Sequence, residues 1–223
     1  MNEENNRKGP GVFYAVVGVA TLVVAIIGAT FAYFSAQATA TGDNVTGGTN
    51  NDLASALSVT VTRVNKEVTT ANSIDLVPAN IDGTTETVNN AVKANCEANG
   101  YTGCHLYKIE AQSTQSVANA SILLSSLTVN SKAKTNWAYA IYTGTETSAT
   151  NVVKTGSLDV TTPVDMHNAA LTANTPVTYY LIVYLKNVDS AQNAGDAADE
   201  TGTYTGTVTM NAAGGKVSAT FSA

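Results

Sequence analysis

The sequence predicts an all-β fold, an antiparallel β-sandwich of immunoglobulin-like or jelly-roll-like type preceded by an N-terminal hydrophobic helix. Three observations carry that expectation. Thr, Val, Asn and Gly are abundant and ten tyrosines accompany them, while Leu, Glu, Lys and Arg, the residues of ordinary helices, are sparse. Short segments of alternating apolar and polar residues recur between turn signals, with Pro78, Pro163 and Pro176 falling between runs. No alternation of strand and helix patterns suggests a parallel sheet, and no fixed-period repeat suggests a solenoid or propeller.

The first element is an uncharged apolar run from Val12 to Phe34, preceded by Arg7 and Lys8. As a helix it reaches roughly 35 Å, enough to cross the ~30 Å hydrocarbon core of a bilayer. The positive flank at Arg7 and Lys8 stays on the cytoplasmic side, leaving everything after residue 40 outside. The run exceeds a usual signal h-region, yet Ala36-x-Ala38 and Ala38-x-Ala40 supply small-residue cleavage patterns. Residues 1–40 therefore read as a signal peptide or membrane anchor, with Ala36, Ala38 and Ala40 marking the region an export signal peptidase would cut. Residues 41–55, rich in Gly, Thr and Asn, read as a flexible stem or donor segment. Residues 56–223 read as the sandwich domain.

Within that domain Leu57, Val59 and Val61 alternate with Ser58, Thr60 and Thr62, giving one buried and one wetted strand face. Tyr107, Ile109 and Ala111 do likewise. Ile122 to Val129 is another strand, and Trp137, Tyr139 and Ile141 share a face, with Trp137 as the expected core anchor. Val177 to Leu185 is apolar on both faces and should lie centrally in a sheet. Tyr204, Val208 and Met210 alternate with threonines, and a turn at Asn211 to Gly215 leads into Val217, Ala219 and Phe221, forming a closing hairpin. Residues 86–100 and 164–172 are each expected to hold a helical turn.

Only 13% of the 223 residues are charged and the net charge is −6, scattered without a basic patch, which excludes a nucleic-acid partner. Cys96 and Cys104 are the only cysteines. In an exported chain they should pair, closing a short glycine-containing loop, contributing about 2.5 kcal/mol and pinning the strand at Leu106. The alternative, a metal or redox site, has too few ligands in C-x7-C with one neighbouring histidine. Asp189, Asp196, Asp199 and Glu200 cluster between the central strand and the closing hairpin. Carboxylates on a loop can bind calcium, but the spacing matches no EF-hand and a solvated acidic loop is the favoured reading. No Ser-His-Asp order, phosphate loop or dinucleotide fingerprint occurs. No catalytic residue, cofactor or metal site is expected, and the chain is not read as an enzyme.

Gly28, the run Thr30-Phe31-Ala32-Tyr33-Phe34-Ser35 and the later Gly47-Gly48-Thr49 resemble the leader and mature start of the camelysin and TasA-like proteins. The resemblance implies cleavage shortly after the aromatic motif and a mature β-sandwich that is a surface or biofilm-matrix protein, sometimes polymerising into fibres. Some members are described as metallopeptidases, but His105 and His167 are the only histidines here and H-E-x-x-H is absent.

The expected role is that of an extracellular or cell-surface structural protein. It would self-associate into fibres or a surface layer by strand addition, with residues 41–64 as donor. The alternatives are a pilin-like filament subunit retaining Val12 to Phe34 as its core, and a membrane-tethered adhesin or binding module. No LPxTG-like signal or hydrophobic tail follows Phe221, so covalent wall attachment through the C-terminus is not expected.

Overall fold

The computed structural model describes residues 45–47, 56–65, 76–98, 100–131, 134–188, 202–212 and 214–223. The leader with Ala36, Ala38 and Ala40, most of the stem, and the carboxylates Asp189, Asp196, Asp199 and Glu200 lie outside these residues. The elements in chain order are β1 (Val45–Gly47), β2 (Leu57–Arg63), α1 (Thr85–Lys93), β3 (Glu97–Ala98), β4 (Tyr101–Thr102), β5 (His105–Ser113), β6 (Val117–Asn130), β7 (Trp137–Thr145), β8 (Ser148–Ser157), β9 (Val164–Leu171), β10 (Val177–Leu185), β11 (Thr203–Ala212) and β12 (Gly215–Ser222). Two five-stranded sheets form, in the orders β1-β12-β11-β6-β9 and β2-β5-β10-β7-β8. Every strand pairing among them is antiparallel.

The inward faces of both sheets meet in one apolar core that takes Val59 and Val61 of β2, Tyr107 and Ile109 of β5, Leu181 and Val183 of β10, and Tyr204, Val208 and Phe221 of the closing hairpin. Sequence alternation produces this directly, because successive strand residues point to opposite faces. Trp137 is 1% exposed and its ring packs on Tyr204 at 5.5 Å. Strict alternation breaks where β6 carries Leu124 and Leu127, three apart yet both buried. The pairing with β11 shifts between Thr205 and Thr207, and Ser126 takes φ 53°, so a bulge returns Leu127 to the core face. Opposite it, Gly206 has no room for a side chain: a Cβ there would lie 2.3 Å from Cζ of Phe221 and 2.9 Å from Cδ2 of Leu127.

The second sheet is buried on its outer face as well. Val88 and Val92 of α1 pack with Tyr142, Tyr180, Ile182 and Tyr184 in a second apolar cluster, where Tyr142 and Tyr180 stack at 5.2 Å. This explains β10, the third of five strands, which sends Leu181 and Val183 to one core and Ile182 and Tyr184 to the other. Between α1 and β5, β3 and β4 make a small hairpin closed at its base by the Cys96–Cys104 disulfide.

The helical turn expected within 86–100 is the nine-residue α1. The one expected at 164–172 is instead strand β9. Its buried residues are Met166 and Leu171, an odd spacing that hides a strand from any period-two reading. Register shifts against β6 between Val117 and Ala120 and between Ile122 and Leu123 cause it.

The outer face of the first sheet carries hydroxyls, exposed at Thr128, Thr205 and Ser222, half-buried at Ser218 and buried at Thr209. Thr205 pairs in register with Thr128 and Ser222, and Thr209 with Ser218. Their hydroxyls bond across strands, Thr128 to Thr205 at 2.6 Å and Thr209 to Ser218 at 2.9 Å.

Candidate functional site: the sheet edges

Each sheet ends in two strands whose outward N–H and C=O groups can template pairing with another chain. The four are β1 and β9 in the first sheet, β2 and β8 in the second.

The β8 edge is covered by α1. Asn89 Oδ1 accepts from the Ala149 N–H at 3.1 Å, and Thr85 Oγ1 accepts from the Val152 N–H at 3.2 Å. Two donors that would greet a foreign strand are thus held by helix side chains. The helix is set in place at its start by a polar knot. Asp82 Oδ1 accepts from the Thr84 N–H at 2.8 Å, the Thr84 hydroxyl at 2.7 Å and the Thr87 hydroxyl at 2.6 Å. The Thr87 hydroxyl, followed by the Thr84 backbone and side chain, lowers the Asp82 carboxyl to about 2. Thr84 in turn caps the helix by accepting from the Thr87 N–H.

The β9 edge is broken by its two register shifts, the kind of irregularity that twists an edge away from a neighbour. It also carries Asp165, exposed on the strand.

The opposite side of the sandwich is different. There β12 packs against β2 across the core, and the edge strands on that side both come from the segment read as donor. Strand β1 pairs with β12 over only three positions, Val45 with Ala219, Thr46 with Ser218 and Gly47 with Val217. Thr220 to Ser222 have no strand partner on that edge among the described residues. Strand β12 itself is firmly seated: Phe221 packs on Tyr107 at 5.0 Å and on Tyr204 at 6.3 Å.

Strand β2 pairs with β5 over seven positions, from Leu57 with Ser113 to Arg63 with Tyr107. Beyond its end, Asn65 ties the chain to the start of β5, donating from Nδ2 to the Cys104 carbonyl at 2.9 Å and accepting the Leu106 N–H at 2.7 Å.

The histidines do not converge. His105 Nδ1 and the Tyr204 hydroxyl lie 2.6 Å apart in the core, and the Tyr204 and Tyr107 hydroxyls 2.7 Å apart. His167 meets the Tyr179 hydroxyl at 3.0 Å. Among the described residues no group of three or more His, Cys, Asp or Glu side chains could hold a metal ion. Among them, too, no helix is long and apolar enough to cross a membrane, and Val12 to Phe34 fall outside them.

Thr85, Asn89 and Asn65 are the residues sequence reasoning passed over. The only signal for the first two is the Asp82-Gly83-Thr84 helix start, and none marks Asn65. Searches of protein-family models, of curated proteins and of solved structures each found no match for the chain.

Proposed function

We propose that this chain is an exported structural protein of the cell surface or extracellular matrix that self-associates by strand addition. A subunit's N-terminal segment leaves its own β12 edge and completes that of a neighbour. The observation that carries this reading is the asymmetry of the edges: α1 covers β8 and register shifts break β9, while three residues of β1 occupy part of β12.

Energetics separate the two halves of the donor segment. The hydrogen bonds of a three-residue pairing are each worth a net ~0.5–1.5 kcal/mol, and a neighbour's identical segment restores them. Strand β2 buries Leu57, Val59 and Val61 in the core, worth about 5–9 kcal/mol in side-chain burial. It stays with its own subunit, which confines the exchangeable part to residues before 56.

The Cys96–Cys104 disulfide is compatible with an oxidising extracellular environment. The resemblance of residues 28–49 to camelysin and TasA-like leaders supports export and the matrix role. Among the described residues both cysteines are bridged and both histidines meet tyrosine hydroxyls, in keeping with a non-enzymatic protein. The test is electron microscopy and light scattering of the mature protein, its N-terminus established by sequencing, beside a Val45→Pro/Thr46→Pro double variant. Proline cannot donate to a ladder. Fibres from the native protein and folded monomers from the variant are expected. A native mature protein that stays monomeric at high concentration overturns the proposal.

A further inference from the structure

We propose that the Cys96–Cys104 disulfide is a thiol-exchange site whose redox state sets how firmly α1 covers the β8 edge and the outer face of the second sheet. The inference is independent of what the N-terminal segment does.

Helix α1 spans nine residues and fully buries only Val88 and Val92. A helix this short does not hold itself together in water and depends on its docking. The chain leaving it bends through two consecutive residues in the left-handed region, Asn95 at φ 53° and Cys96 at φ 58°, neither of them glycine. Such conformations persist only where the surroundings over-determine them. Backbone bonds from Cys96 N–H to the Ala91 carbonyl and from Gly103 N–H to the Cys96 carbonyl help, and the disulfide to Cys104 completes the constraint. A cavity of about 190 Å³ between the helix and the Ala79–Ile81 segment has Asn90, Ala94, Cys96, Gly103 and Cys104 in its wall. The cysteines themselves are 2% and 0% exposed, so a reductant arriving through that cavity waits on movement of α1. Reduction and helix opening are therefore linked in both directions.

The partner chemistry is an external dithiol. Its thiolate attacks one sulfur of the pair, the Cys96–Cys104 bond breaks, and the other cysteine leaves as a thiolate that takes a proton. The dithiol's second sulfur then displaces the first cysteine and closes the reagent into its own disulfide. Two electrons pass to the protein, which ends with two thiols. Without the bridge the left-handed bend relaxes, α1 frays from its C-terminal end, and Asn89 and Thr85 release the Ala149 and Val152 N–H groups.

The experiment is peptide-resolved hydrogen exchange on the full chain, oxidised and after dithiothreitol, with a Cys96→Ala/Cys104→Ala variant as the permanently bridge-free form. Exchange across 85–93 and at 149–152 should accelerate by at least about tenfold in both bridge-free states, as for a local opening unit, with β6 and β11 unchanged. A Val92→Ala variant, which weakens docking of α1, should be reduced faster than the native chain. Unchanged exchange at α1 and β8 overturns the proposal. So does equal acceleration throughout β6 and β11, or a double variant that does not fold, because the bridge would then staple the whole fold rather than latch one helix.

Discussion

Replacing Asn65 by alanine removes a side chain that is 5% exposed and satisfies two backbone groups at once, the Leu106 N–H and the Cys104 carbonyl. Leu106 is 1% and Cys104 0% exposed, so water does not simply take over. A buried polar group left without a partner costs about 1–3 kcal/mol, and two of them cost about 2–6 kcal/mol. For a domain of this size 1 kcal/mol moves the melting midpoint by about 2–4 °C, so the variant should melt roughly 4–24 °C lower. Asn65→Asp separates the two bonds: a carboxylate still accepts from Leu106 but faces the Cys104 carbonyl with an oxygen. It should be at least as unstable as the alanine variant near neutral pH and recover partly in acid, where a protonated carboxyl can donate. Urea unfolding of the three proteins, with the slope compared to confirm an unchanged unfolding transition, gives the answer. A midpoint corresponding to less than about 0.5 kcal/mol of loss, the range of an ordinary surface substitution, would refute the reasoning.

Gly206→Ala drives a methyl into the Phe221 ring and should cost about 1–3 kcal/mol in urea unfolding. Adding Phe221→Leu should recover part of it, whereas strict additivity of the two losses would count against the contact. Thr85→Val with Asn89→Leu keeps the helix but withdraws the acceptors for Val152 and Ala149. Those two amides should exchange faster at a stability loss of about 1–3 kcal/mol, and unchanged exchange would mean that α1 covers β8 by packing alone. Burial, with a smaller contribution from Asp82, pushes the Tyr184 phenol up to about 12, and burial also raises Tyr142 and Tyr180. An unfolded tyrosine ionises near 10, so the stability these neutral phenols provide is complete below pH 10 and is lost as pH rises through about 12. Thermal melts from pH 9 to 12 should show that decline, and Tyr184→Phe should lessen it; a decline of the same size in the variant would remove Tyr184 from the account.

Strands that bury one face were legible as sequence because alternation maps directly onto burial. That holds for β2, β5 and the closing hairpin; β7 buries both faces although its aromatic face alone was read, and β10 announced its central position by being apolar on both faces. What covers its second face was not legible. Val88 and Val92 are ordinary valines in a polar stretch, and nothing local says they meet Tyr142, Tyr180 and Tyr184 across long separations in the chain. Bulges defeated the period-two reading at β9, and also at β8, whose register against β7 shifts between Ile141 and Tyr142 and between Thr143 and Gly144. The partial cover over β12 was anticipated only as a stem or donor segment, since three residues of pairing leave no pattern. The Asn65 contacts depend on register between β2 and β5, which no spacing of residues specifies.

The hydroxyl rows on the outside of the first sheet carry a consequence for kinetics. Thr128, Thr205, Ser218 and Ser222 offer donors and acceptors without formal charge, and the two charged residues of these strands, Lys216 of β12 and Asp165 of β9, are opposite in sign. With one charge of each sign, these strands add little steering or repulsion of their own, and a long-range encounter is governed by the chain's net charge of −6. Dissolved ions therefore act mainly by screening that net charge. Meetings between molecules through this face then grow more frequent both as more copies share a volume and as that volume passes from fresh water to brine.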